Sequence, residues 1–171
     1  SAGAGGVMLA LAADGVFARS GVVLNPHYKS MGLYGSEYWT YSLPRAVGYE
    51  LALRLSEECL PISVAQAREM GLVQDVGPRC PQAFGSWLMA QAQRVARDPV
   101  YEVVRARWRT RDVTDMERCR DEELAQMRLD MVEDRNRFSE KCRRFVLKQR
   151  VCGTPRRLLA PWANSAEVVS G

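Results

Sequence analysis

The chain is short of the residues that build metal centres. It has one histidine, His27, and five cysteines, Cys59, Cys80, Cys119, Cys142 and Cys152, odd in number and scattered. None forms a Cys-x-x-Cys pair, so no metal site and no disulfide framework is expected, and reduced thiols of a cytoplasmic protein are the default. Long apolar runs are missing too. The most apolar stretch, residues 7–13, is cut short by Asp14, well below the roughly 18 to 20 residues of a membrane span. No basic-then-apolar leader precedes it, so neither a signal peptide nor a membrane partner is expected.

What is present is ordinary for a globular domain: 171 residues, 47% hydrophobic and 26% charged, enough to bury a core. The net charge of +4 is unevenly placed, with 18 of 24 Lys and Arg and 12 of 20 acids between Arg94 and Arg157. Such a segment suits an anionic partner or a solvated helical surface. The interleaved acids and the lack of a nucleic-acid motif favour the solvated surface, so no nucleic acid is expected as partner.

The most unusual stretch is residues 25–41. It holds five aromatic residues, Tyr28, Tyr34, Tyr38, Trp39 and Tyr41, together with His27, Lys29 and Glu37, and is interrupted by Gly32 and Gly35. Its first half reads as loop. From Ser36 the pattern turns helical, with Ser36 as N-cap and Glu37 in the first turn, where the helix dipole favours a negative charge. A loop of polar and aromatic groups running into a helix start is a common way to build a site; an aromatic plug in a core is the competing reading.

On either side the pattern is scaffold. Gly3, Gly5 and Gly6 form a turn into an apolar helix over residues 7–13 that has no polar face and should lie inside. The free N–H groups at such a helix start suit a phosphate or an oxyanion. Short β-type runs follow at residues 15–18 and 21–24. Pro44 and Gly48 mark a break between two helices, the second over residues 48–58. Ser63 caps a helix that ends at Gly71, and residues 72–76 read as a strand. Beyond residue 82 the chain becomes long charged helices, broken at Asp98-Pro99, with Leu124, Met127 and Met131 as an apolar core stripe of one of them. Thr154-Pro155 and Ala160-Pro161 mark an irregular end, and residues 163–171 read as a flexible tail.

Three segments, in order, carry a resemblance. Gly5-Gly6-Val7-Met8-Leu9-Ala10-Leu11-Ala12-Ala13-Asp14, Leu43-Pro44-Arg45-Ala46-Val47-Gly48 and Ile62-Ser63-Val64-Ala65-Gln66-Ala67-Arg68-Glu69-Met70-Gly71-Leu72-Val73 resemble the enoyl-CoA hydratase/isomerase (crotonase) superfamily over residues 3–76. That resemblance implies an α/β chain: residues 1–77 as the C-terminal half of a crotonase-like (ClpP/crotonase) spiral core, residues 78–162 as a helical C-terminal extension, then the tail. The first half of the core would lie upstream, and the piece alone is expected to be inactive and poorly stable. It also implies that hydratase chemistry is absent. The family's two water-placing glutamates fall on Met8 and His27, and methionine cannot move a proton.

The stretch from Asn25 to Tyr41, with Arg144-Phe145-Val146-Leu147-Lys148 and Thr154-Pro155-Arg156-Arg157-Leu158 near the end, is similar to the crotonase-like domain of the HypX/HoxX family of hydrogenase maturation factors. In that family an N-terminal formyltransferase-like domain passes a formyl group from a folate to coenzyme A. The crotonase-like domain then splits formyl-CoA into CO and CoA, and the CO becomes a ligand of [NiFe]-hydrogenase. The resemblance places the catalytic pair on Tyr28 and Glu37, although the segment is one residue shorter than the family pattern between Met31 and Leu33; the setting of the pair among Tyr34, Tyr38, Trp39 and Tyr41 suggests that both reach one dry, apolar pocket beside the first helix. Gly5 and Gly6 become candidates for an oxyanion N–H, and Asn25, His27 and Tyr34 for the substrate pocket. Lys29 or Arg45 could meet CoA phosphates, with plain surface charge the simpler reading. The implied partners are a CoA thioester, the formyltransferase-like domain and other hydrogenase maturation proteins; no metal is implied. The rival readings are a CoA-binding or oligomerisation module without turnover, and another acyl-CoA isomerase, hydratase or thioesterase.

Overall fold

The computed structural model describes residues 1–110 and 113–149. The irregular end and the tail expected beyond residue 150 lie outside the described residues, as does the Thr154–Leu158 segment.

Two small sheets and a layer of short helices make the first half. Strands β1 (Ala2–Gly3), β3 (Val23–Asn25) and β4 (Ile62–Ser63) form one sheet in the order β1-β3-β4, parallel between β1 and β3 and antiparallel between β3 and β4. Strands β2 (Phe17–Arg19) and β5 (Asp75–Gly77) pair in parallel, with Phe17 opposite Asp75. Helix α1 (Gly5–Leu11) leaves β1 through Ala4, whose positive φ of 44° turns the chain sharply while its N–H donates to Asn25 O at 2.8 Å. Val7 and Met8 of α1 are buried, but Leu9 is 76% exposed. The expectation of a wholly buried helix therefore fails in this chain: only one side of α1 meets the core.

Helices α2 (Trp39–Val47) and α3 (Tyr49–Glu58) pack together, α2 also meeting α1, and Leu43, Ala52 and Leu55 join the core. The break falls at Gly48, at φ 83°, and not at Pro44. Pro44 lies inside α2, where it forfeits one backbone bond to the preceding turn; the burial of Trp39, Tyr41 and Leu43 on the same helix offsets that loss. Helix α4 (Val64–Glu69) opens with the expected cap, a full capping box in which Ser63 Oγ accepts from Gln66 N and Gln66 returns a bond to Ser63 N. The strand expected at residues 72–76 is shifted: Leu72 and Val73 are buried core residues and pairing begins at Asp75.

Four helices complete the described chain: α5 (Pro81–Arg97), α6 (Pro99–Arg109), α7 (Thr114–Val132) and α8 (Phe138–Val146). Helix α5 docks by Trp87, which stands on the bare Cα of Gly77 and edge-on to Phe17, 5.9 Å between ring centroids. Asp98 ends α5 and caps α6, its Oδ1 accepting from Val100 N at 2.9 Å. On α7 the expected stripe is wrong in part. Leu124 and Met131 are exposed, and the inward face is Cys119, Glu123, half-buried Met127 and Asp130, at helical spacings of four, four and three. Two carboxylates thus stand where apolar side chains were expected, and both accept from backbone N–H groups in residues 34–40. No helix among the described residues is long and apolar enough to cross a membrane.

Candidate active site

Residues 25–41 leave the sheet at Asn25, the last residue of β3, and cross the end of α1. Asn25 O holds both Ala4 N (2.8 Å) and His27 N (2.9 Å), so the start of α1 and the start of the loop share one anchor. Pro26, His27 and Tyr28 follow, all buried. A single 3-10 turn, Lys29–Met31, ends at Gly32 in the left-handed region. The chain returns at Gly35, φ 100°, against the ring of Tyr28.

Helix α2 begins at Trp39, not at Ser36, so Glu37 lies ahead of the first turn. Tyr38 takes the N-cap position in a left-handed conformation, φ 56°, and offers no side-chain cap. The cap comes from elsewhere. Glu123 of α7 accepts from Tyr38 N (2.8 Å), Thr40 N (2.8 Å) and Thr40 Oγ1 (2.6 Å). Asp130, about two turns further along, accepts from Tyr34 N (2.7 Å), Arg135 Nε and Nη2 (3.0 and 2.8 Å) and Asn136 Nδ2 (2.7 Å). Between them, Gly35 N lies 3.3 Å from Met127 Sδ. Both carboxylates are fully buried. Burial raises the Glu123 pKa, while the bonds from Thr40 and Tyr38 pull it down. These two residues are the part of the site that reading the sequence missed. The available signal was two carboxylates on the apolar stripe of an otherwise charged helix.

The structure brings Glu37 together with Gly5 and Tyr28. A Cβ on Gly5 would stand 2.8 Å from both Cδ and Oε1 of Glu37, so the carboxylate occupies the space that glycine leaves at the start of α1. The same carboxylate lies near enough to the Tyr28 hydroxyl to favour the protonated phenol, though the geometry falls short of a formed hydrogen bond. Burial, then Glu37, then Glu123 drive the Tyr28 pKa far above the ordinary phenol value. Gly6 does not share this place; its missing Cβ faces Ala2 at an ordinary 3.6 Å. Glu37 is exposed, so the dry pocket expected around it is not formed by the described residues.

His27 is 5% exposed, and neither ring nitrogen has a partner among the described residues; burial lowers its pKa and favours the neutral ring. Asn25 Oδ1, Tyr28 Oη and Trp39 Nε1 are likewise buried without a partner. Unpaired buried polar atoms are rare and costly, and here they gather in one stretch of chain. Tyr34 stacks obliquely on Trp39, 5.4 Å between centroids, and its backbone is held by Asp130. Lys29 and Arg45 are already paired within the chain: Lys29 with Glu57, and Arg45 with Asp115 and the face of Tyr41. That favours surface charge over phosphate binding for both.

Comparison with known proteins agrees with this fold. The enoyl-CoA hydratase/isomerase family pattern matches residues 1–151. The hydrogenase maturation factor HoxX of Bradyrhizobium diazoefficiens is 44% identical over 135 residues, covering 75% of this chain and 24% of its own length. The crystal structure of HypX from Aquifex aeolicus in complex with tetrahydrofolic acid superimposes with a TM-score of 0.80 at 39% identity, over 90% of this chain and 28% of that one. An enoyl-CoA hydratase/isomerase from Pseudoalteromonas atlantica shares the fold, with a TM-score of 0.70 at 19% identity over 89% of this chain and 60% of that one. The chain therefore spans about a quarter of the length of the maturation factors it matches. It belongs to the enoyl-CoA hydratase/isomerase family, with the crotonase fold, and within that family it is homologous to the HypX/HoxX maturation factors.

Proposed function

We propose that this chain is the formyl-CoA-cleaving part of a cytoplasmic hydrogenase maturation factor, with Tyr28 and Glu37 as its catalytic pair. The observation that carries this reading is the placement of one carboxylate, Glu37, against both the helix start at Gly5 and the buried hydroxyl of Tyr28. The homology to HypX and HoxX supports the biological setting. The tetrahydrofolic acid bound to the Aquifex aeolicus relative supports a folate-borne formyl supply from the rest of the parent protein, its formyltransferase-like part. Other hydrogenase maturation proteins would receive the product.

The reaction balances without an electron acceptor. In H–CO–S–CoA the C–H and C–S bonds break. The hydrogen leaves as a proton, the C–H pair stays on carbon as the lone pair of CO, and the C–S pair leaves with sulfur. The proton taken from the formyl carbon ends on the thiolate as free CoA. Glu37 and Tyr28 act as one relay for that transfer. Tyr28 holds its proton at neutral pH, because its environment penalises the phenolate. The N–H of Gly5, at the start of α1, has no carbonyl within its own helix and serves as donor to the thioester oxygen. His27, Asn25 and Tyr34 line the acyl end, where the unpaired nitrogens of His27 and the Asn25 carbonyl offer polar contacts to a small substrate. With Met8 buried at a position where the hydratase reaction needs a glutamate, crotonyl-CoA should not be hydrated.

The test is CO release from formyl-CoA by the full-length protein, read by CO binding to reduced myoglobin. Glu37→Gln and Tyr28→Phe should each lower it by roughly 10² to 10⁴-fold. Tight binding of CoA thioesters without CO from the wild type would favour the binding-module reading instead.

A further inference from the structure

We propose that Glu123 is a positioning residue for the Tyr28/Glu37 pair: from α7 it grips the backbone N–H groups of Tyr38 and Thr40, just after Glu37, and so sets where the Glu37 carboxylate stands. This rests on the catalytic reading above.

Glu37 itself has little to fix it. Its side chain is exposed, and the hydrogen bond that its Oε2 accepts from Ser36 N is a long one, 3.4 Å. Its backbone is held from both sides instead. Tyr34 N and Gly35 N are taken by Asp130 and Met127 before it, and Tyr38 N and Thr40 N by Glu123 after it. All three acceptors lie on one face of α7. The grip after Glu37 is the tighter, because it includes the Thr40 hydroxyl at 2.6 Å and acts on a strained residue. Tyr38 is left-handed at φ 56°, ψ 33°, a conformation that a bulky residue adopts only when its surroundings impose it. Two N–H groups converging on one carboxylate impose it here.

A cap that served only the helix would call for an exposed Ser, Thr, Asp or Asn at the N-cap position. This chain uses a fully buried carboxylate 85 residues away from Tyr38, and no ion pair on Glu123 is seen among the described residues. Its charge also reaches the site, since Glu123 is one of the groups that keep Tyr28 protonated. The carboxylate thus acts twice on the pair, through the backbone beside Glu37 and through the field at Tyr28.

The test uses the full-length protein with Glu123→Gln. Glutamine keeps the shape but turns one acceptor into an N–H₂ group facing donors. The expected result is a fall in kcat for CO release of about 10- to 100-fold, with KM for formyl-CoA within about two-fold, since a displaced proton-transfer group costs rate more than binding. In a Glu37→Gln background the same change should cost nothing further. Asp115→Asn, which breaks the Arg45–Asp115 bridge between α2 and α7 without touching residues 34–40, should leave kcat of the folded protein unchanged even where Tm falls. If Glu123→Gln does not fold, Thr40→Val removes only the hydroxyl donor and should lower kcat about three-fold with KM unchanged. A wild-type kcat in the variant, or an equal further loss in the Glu37→Gln background, overturns the proposal. If the wild type releases no CO, the catalytic reading falls, and amide exchange decides whether Glu123 sets this turn: faster exchange at Tyr38 and Thr40 with the rest of α2 unchanged supports it, and unchanged exchange at both sites refutes it.

Discussion

The ring of Tyr28 rests on the bare Cα of Gly35, so closely that a Cβ there would stand 2.4 Å from Tyr28 Cδ2 and 2.6 Å from Cε2. Gly35 also has φ 100°, outside the range that L side chains adopt readily. Glycine is therefore required twice at this point, once by the backbone and once by the ring. Gly35→Ala should lower stability by about 2 kcal/mol through strain and should displace Tyr28, reducing CO release by more than ten-fold. Chemical denaturation and the CO assay, run on the same preparation, measure the two effects separately.

Gly5 offers the opposite balance. The atoms that a new Cβ would meet belong to the end of the Glu37 side chain, which is exposed and can swing away. Alanine is also a better helix residue than glycine, by up to about 1 kcal/mol. Gly5→Ala should thus leave Tm unchanged or slightly raised while CO release falls by about ten-fold or more. Loss of stability in parallel with activity would mean that Gly5 is there for packing alone.

Parts of this arrangement could be read from the sequence, and the reason differs for each part. The Ser63/Gln66 cap and the Asp98-Pro99 break are local: their partners lie within three residues, and both are found as expected. The pairing of Glu37 with Gly5 is not local, yet the family resemblance pointed to both residues. Composition points to Ser36 as the cap of α2, whereas the true cap is Glu123, which meets Thr40 across 83 residues. No local pattern marks such a bond. Asp130 was hidden in the same way, one acid among many on a charged helix. Proline lacks an N–H and so points to a helix end at Pro44, but tertiary burial of the residues beside it overrides that single lost bond.

Alkaline pH tests the environment of Tyr28. The fold raises its pKa through burial first and then through Glu37, so the native state holds this proton more tightly than the unfolded chain, whose phenol titrates near about 10. The unfolded state loses the proton first as pH rises. The stabilising contribution is therefore complete below about pH 10 and is lost progressively above it. Wild-type stability should fall more steeply with pH above about 10 than that of Tyr28→Phe, which has no proton to lose there. Parallel curves from denaturant titrations at pH 8 to 11 would show that Tyr28 is not buried beside a carboxylate in solution.

The relay itself is tested by combining substitutions. If Glu37 and Tyr28 pass one proton as a unit, removing either breaks the path, and removing the second finds nothing left to break. Glu37→Gln and Tyr28→Phe should each lower kcat for CO release by roughly 10² to 10⁴-fold, and the double variant should lie within about three-fold of the slower single one. Independent roles give a different result. Were Glu37 to take the formyl proton while Tyr28 only bound the thioester oxygen, the losses would multiply, and Tyr28→Phe would raise KM as well as lower kcat. The geometry favours the unit, because one carboxylate adjoins both the hydroxyl and the helix start. A full double-mutant cycle with kcat and KM measured separately distinguishes the two, and multiplicative losses in kcat would remove the relay from the mechanism.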